Sequence, residues 1–258
     1  MKKTIIALVA MMMLASSAFA GVSFLTAPSV GEGKWAVLGM YATNHNGAIA
    51  NSTEPQDYDA NSIGIRGEYG VMKDIDLLVA YSFDTLPNIK DVDNIPNLDE
   101  AGKQTSGNTT SLGIKYSLGK IEMLMDVDMA VGLGYELSDA GIKLDAGGST
   151  ALRASSKTIG CVFSKKIDNF MPYGSIGYKM LAQDLGKLGG LGTIPTITGT
   201  GLALNIGCMI GVAENQAVAV EYNTENQAWD SWRKSAAVKD EASAVNVSGI
   251  SLGYVYVF

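Results

Sequence analysis

The amino-acid sequence predicts an all-β chain, a closed antiparallel transmembrane β-barrel most consistent with ten strands, with eight or twelve as alternatives. Three observations predict it. Apolar residues recur with period 2 along most of the chain, and the connections between those segments are alternately short and long. The last nine residues form an alternating apolar strand that ends on Phe258.

Period 2 sends successive side chains to opposite faces of a strand. The clearest run sets Ile75, Leu77, Val79, Tyr81 and Phe83 against Asp76, Leu78, Ala80, Ser82 and Asp84. A second sets Met125, Val127, Met129, Val131, Leu133 and Tyr135 against Asp126, Asp128, Ala130, Gly132 and Gly134. Strands are expected at 34–43, 61–69, 75–83, 108–118, 122–137, 154–164, 170–181, 200–212, 216–226 and 243–258. Ile63, Leu112, Ile159 and Leu204 mark a recurring hairpin of two strands, fewer than a propeller blade needs.

Short connections fall at Gly70–Asp74, Gly119–Ile121, Lys165–Asn169 and Ala213–Asn215, and long ones at 44–60, 84–107, 138–153, 182–199 and 227–242. Strict alternation puts every short turn at one end of the sheet and every long loop at the other. Membrane barrels sort their connections this way.

The N-terminus indicates export. Lys2 and Lys3 precede an apolar core, Thr4 to Leu14, and Ala18-Phe19-Ala20 is a cleavage site, so residues 1–20 read as a cleaved signal peptide. Residues 21–33 then form a periplasmic or lumenal segment ahead of a barrel domain at 34–258. Without Lys2 and Lys3 the chain has 17 basic and 26 acidic groups, a balance that excludes a nucleic-acid partner. The longest apolar stretch, Leu202 to Val212, is interrupted by Asn205, so no membrane-spanning helix is expected beyond the signal peptide.

In the terminal run Ile250-Ser251-Leu252-Gly253-Tyr254-Val255-Tyr256-Val257-Phe258, one face carries Ile250, Leu252, Tyr254, Tyr256 and Phe258. This strand resembles the last strand of bacterial outer-membrane β-barrel proteins, the superfamily of small porin-like and opacity-type barrels. The resemblance implies an outer-membrane location. It also makes Leu252, Tyr254, Tyr256 and Phe258 an assembly signal read by the barrel-assembly machinery, with outer-membrane lipids and lipopolysaccharide as surroundings.

The apolar face should point outward. The other face bears Arg66, Glu68, Asp76, Lys115, Asp126, Asp128, Glu136, Lys179 and Glu221, charges that a soluble core would bury at great cost. Aromatics on the apolar face form two belts, as amphipathic rings do at the two membrane interfaces. Tyr69, Tyr116, Phe163, Phe170 and Phe258 lie beside the short turns, and Tyr41, Tyr81, Tyr135, Tyr178 and Tyr222 towards the long loops.

Six acids against three bases in the lumen predict a non-enzymatic, narrow, cation-preferring passive pore for small ions or solutes. The alternatives are a lumen plugged by salt bridges and a surface adhesin acting through five long loops. A hydrolase would have to use His45, the one histidine, with Asp57, Asp59 or Asp84 nearby, but no motif matches the omptin proteases or the lipid A deacylases. The acidic run Asp91 to Glu100 fails as a calcium loop, with Pro96 where a glycine is required and Gly102 where a glutamate is. No cofactor or metal site is expected. Trp229 and Trp232, beside Arg233 and Lys234, read as anchors at the outer interface. Cys161 and Cys208 are expected on the lipid side of the sixth and eighth strands, too far apart to bridge.

Overall fold

The computed structural model describes residues 26–49, 56–85, 106–122, 126–143, 149–184, 196–229 and 243–258. Ten strands form one closed ring: β1 Trp35–Ile49, β2 Gln56–Met72, β3 Ile75–Thr85, β4 Ser106–Ile121, β5 Val127–Lys143, β6 Ser149–Ser164, β7 Phe170–Asp184, β8 Ile197–Ala213, β9 Gln216–Trp229 and β10 Ser243–Val257. Each strand pairs antiparallel with its neighbours in sequence, and β1 closes the ring against β10, with Met40 opposite both Gly253 and Gly64. Closure leaves no exposed sheet edge.

The short turns use residues that tolerate left-handed backbone. Asp168 and Asn215 have φ of 54° and 64°, a region short polar side chains enter more readily than others. The β4–β5 connection differs from the expectation. A register shift at Ser117/Gly119 carries β4 on to Ile121, and β5 starts only at Val127. Asp126 consequently sits in the turn, exposed, with φ 60°.

Strands also outrun their apolar alternation towards the long connections. β1 and β5 each continue six residues past the expected ends at 43 and 137, and β2 and β6 each begin five residues early. In these extensions the apolar period of the sequence fades while the hydrogen-bonded ladder continues.

The polarity of the wall is inverted relative to a soluble protein. Ile63 and Ile206 are 66% and 70% exposed, and Leu112, Leu133, Ile159, Leu252 and Phe258 share their outer surface. Tyr41, Tyr81, Tyr116, Tyr135, Tyr178, Tyr222 and Phe170 are exposed there too, whereas Tyr69 and Phe163 are half-buried. Trp35 packs on Tyr69 with ring centroids 4.6 Å apart. Cys161 and Cys208 are free thiols, pairing in register with Ile176 and Pro172 of the intervening β7.

Candidate functional site: the lumen

The inner face gathers charge into distinct levels. Near the turns, Lys115 of β4 lies opposite Asp76 of β3, on the same inner face as Glu68 of β2. Its ammonium bonds Glu68 Oε1 and lies 3.1 Å from Asp76 Oδ2. Two backbone carbonyls complete the shell, Thr26 O at 3.0 Å and Pro28 O at 2.9 Å.

Those carbonyls belong to the segment before β1, which enters the lumen from the turn end. Ala27 N donates to Ser164 Oγ at 3.1 Å, Ser117 Oγ donates to Ala27 O at 2.7 Å, and Ser29 Oγ donates to Asp76 Oδ1 at 2.5 Å. The Ala27 side chain packs among buried Leu78, Ala130 and Val162. The segment leaves past Gly70, where an added Cβ would stand 2.0 Å from the Gly31 carbonyl oxygen. Only glycine permits this approach. The segment before β1 therefore occupies the turn-end bore.

Nearer the loops, Lys179 of β7 bonds Glu225 Oε2 of β9 at 2.6 Å. Gln227 Nε2 donates to Glu225 Oε1 at 2.7 Å, and Trp229 Nε1 donates to Gln227 Oε1 at 3.0 Å. Lys115 and Lys179 are 0% and 1% exposed, so neither level leaves a visible bore beside its lysine. Asp84 of β3 and Glu136 of β5 are as deeply buried. Both oxygens of Asp84 and Oε2 of Glu136 lack a hydrogen-bond partner.

A further group joins Tyr173, Glu221 and Arg66. The Tyr173 ring turns inward against Gly207, where an added Cβ would come within 2.3 Å of it, and its hydroxyl lies beside Glu221 with Arg66 in electrostatic reach. Leu38, Ala219 and Val255 form an apolar seam on the same inner surface.

Of the sequence-derived lumen charges, Arg66, Glu68, Asp76, Lys115, Glu136, Lys179 and Glu221 are buried on the inner face. Asp128 is inward by strand parity and half-buried, and Asp126 is outside the lumen in its turn. Sequence reasoning missed Asp84 and Glu225. Asp84 closes the polar side of the run from Ile75 to Phe83 but falls in the connection expected at 84–107, and Glu225 lies beyond the clean alternation of β9. Trp229 is not an interface anchor: it is the inward last residue of β9, 7% exposed, because the ladder carries that parity above the lipid. Trp232, Arg233, Lys234 and the run Asp91 to Glu100 lie outside the described residues.

His45 stands on β1, exposed on the outer surface, not in a turn. Asp84 faces the lumen, so the barrel wall separates it from His45, whereas Asp59 of β2 is directly opposite His45 in the register. Leu252, Tyr254, Tyr256 and Phe258 line the outer face of β10 and its end, with the Tyr256 and Phe258 rings 4.6 Å apart. Among the described residues no three histidine, cysteine or acidic side chains are grouped to hold a metal ion.

Buried ionic levels inside and an unbroken apolar surface outside form an arrangement that water would turn inside out. The chain is a transmembrane β-barrel. No family model matches it, and no curated protein does. Solved structures of similar strand path include the outer membrane protease OmpT of Escherichia coli, 15% identical with TM-score 0.47, covering 87% of this chain and 96% of that one. The translocator domain of the autotransporter NalP from Neisseria meningitidis is 11% identical with TM-score 0.47, covering 98% and 97%. Ail, the attachment invasion locus protein of Yersinia pestis, is 13% identical with TM-score 0.36, covering 88% and 99%. The fold assignment rests on the closed register and the inverted polarity, not on these scores.

Proposed function

We propose that the chain is a non-enzymatic outer-membrane barrel that passes small cations through its lumen, its turn end being held closed here by the segment before β1. One observation carries the reading: the inner wall has a surplus of acid. Glu68, Asp76, Asp84, Asp128, Glu136, Glu221 and Glu225 face three bases among the described residues, Arg66, Lys115 and Lys179. Uncompensated buried carboxylates destabilise a mere scaffold, while charged linings set the selectivity of a passage. Outer-membrane lipids and lipopolysaccharide suit the aromatic outer face as surroundings, and the β10 end suits the assembly machinery. The test is a planar-bilayer recording under a potassium chloride gradient, on the wild type and on Ala27→Asp/Ser29→Asp, which drives the closing segment out. Cation-selective current, at the latest in the variant, is expected; anion selectivity, or silence in both, sinks the proposal.

A second reading is favoured by the strand extensions. β1, β2, β5 and β6 continue five or six residues past their apolar alternation and would make a stiff collar beneath the long connections. A barrel silent in both recordings that still bound a cell surface would be a recognition protein.

A further inference from the structure

We propose that the loop half of the lumen binds a monovalent hard cation, sodium or potassium, at Asp84. This deepens the reading of the lumen as a cation passage by naming a binding position within it, although the site itself rests on separate observations.

The inner faces of β2, β3 and β4 bring four oxygen-bearing side chains to adjoining positions. Ser62 is directly opposite Asp84 across β2 and β3, and Ser82 is directly opposite Thr109 across β3 and β4. Ser82 and Asp84, two residues apart, share the inner face of β3. All four are at most 3% exposed.

The Ser62 and Thr109 hydroxyls face the Asp84 carboxylate. Both hydroxyls are within hydrogen-bonding reach of it, yet neither Asp84 oxygen, nor Ser62 Oγ or Ser82 Oγ, has a well-formed hydrogen bond, and Thr109 also shares one with Ser138 at 2.9 Å. Buried polar atoms normally find partners, and a group of them left unsatisfied calls for a missing ion or water. Here the oxygens approach one another without well-formed bonds, and hydroxyls grouped around one buried carboxylate are the oxygen ligands a coordinated ion requires.

The donor set selects the ion. Hydroxyl and carboxylate oxygens favour hard cations over transition metals. A single carboxylate in the shell matches a single positive charge, whereas calcium sites gather several carboxylates, and no grouping of three exists among the described residues. Glu136 lies within electrostatic reach of Asp84 and strengthens the negative field. A small cavity lined by Ser82, Thr109, Met40, Arg66 and Ala80 adjoins the position and gives an ion or its water room. Arg66 also lines that cavity, but burial and the Ser62 and Thr109 hydroxyls, not Arg66, dominate the surroundings of Asp84.

The test compares the temperature at which the folded, fast-migrating gel band is lost, in sodium or potassium chloride and in N-methylglucamine chloride of equal ionic strength. An alkali ion at about ten times its dissociation constant should raise the wild-type midpoint by about 3–6 °C. Asp84→Asn should abolish that difference and stand above the wild type in N-methylglucamine, because an uncompensated carboxylate has gone. Ser62→Ala/Ser82→Ala, which keeps the carboxylate, should shrink the difference, and serves if Asp84→Asn does not assemble. A wild type indifferent to alkali ions overturns the site, as does either variant responding like the wild type. Conductance measured on the same preparations separates the two claims: a silent lumen with an intact alkali-dependent shift removes the passage and leaves the site.

Discussion

The two buried lysines of the lumen solve the same problem differently. Lys115 is surrounded by Glu68, Asp76 and the carbonyls of Thr26 and Pro28, so the closing segment is part of its shell. Lys179 has the single short partner Glu225, itself held by Gln227, with Glu136 further off. At the turn end two carboxylates face one lysine, and the chain's own backbone adds two carbonyl oxygens and fills the remaining space. At the loop end acids outnumber the base and no backbone enters among the described residues. The difference lies in the backbone: the segment before β1 occupies the turn end, and among the described residues side chains alone surround Lys179.

Substituting the lysines should break this comparison most visibly. Lys115→Ala strands two buried carboxylates and frees two carbonyls, a loss of about 3–5 kcal/mol. Lys179→Ala strands Glu225, but Gln227 still donates to it, so the loss should be smaller, about 1–3 kcal/mol. Urea unfolding midpoints in detergent would measure both, and equal losses would mean that the closing segment adds nothing to the Lys115 shell.

Displacing the segment sharpens the same contrast. Ala27→Asp/Ser29→Asp puts one carboxylate among Leu78, Ala130 and Val162 and another against Asp76. In a Cys161→Ala/Cys208→Ala background carrying Ala130→Cys, a charged thiol reagent should label the new cysteine about tenfold faster or more once the segment is expelled, a change of about 1.4 kcal/mol in its docking equilibrium. Unchanged labelling would mean that the turn end is closed by something else.

An effect no larger than that of Lys179→Ala is expected at the Tyr173 group. Gly207→Ala drives a methyl into the Tyr173 ring and should cost about 1–3 kcal/mol through overpacking, read as a lowered melting temperature. Tyr173→Phe/Gly207→Ala should not rescue it, because the clash is with the ring as well as the hydroxyl.

Much of this was legible from residue order. The alternation from Ile75 to Phe83 assigns Asp76 to the lumen without any knowledge of its neighbours, and the same logic reaches Glu68, Lys115, Glu136 and Glu221. It falters where both faces of a strand are polar. In Asn223-Thr224-Glu225-Asn226-Gln227 the hydrophobic period is absent, so Glu225 and the inward turn of Trp229 could not be read. It failed also at Asp126, whose parity is that of a strand residue but whose backbone is that of a turn, after a bulge that no composition signal announced.

By itself the sequence determined that strands form, that their apolar side faces outward, and that the connections are sorted by end. Each of these depends on side chains a few residues apart and on the medium they meet, which is local information. Only the tertiary structure decided which charges share a level. Lys115 meets Glu68 across 47 residues and Lys179 meets Glu225 across 46. Nothing in the chain between them specifies those meetings until closure of β1 on β10 sets the curvature of the wall. The same closure makes a bore narrow enough for Thr26 to Ser29 to fill, turning a short segment without periodicity into the partner of four wall residues.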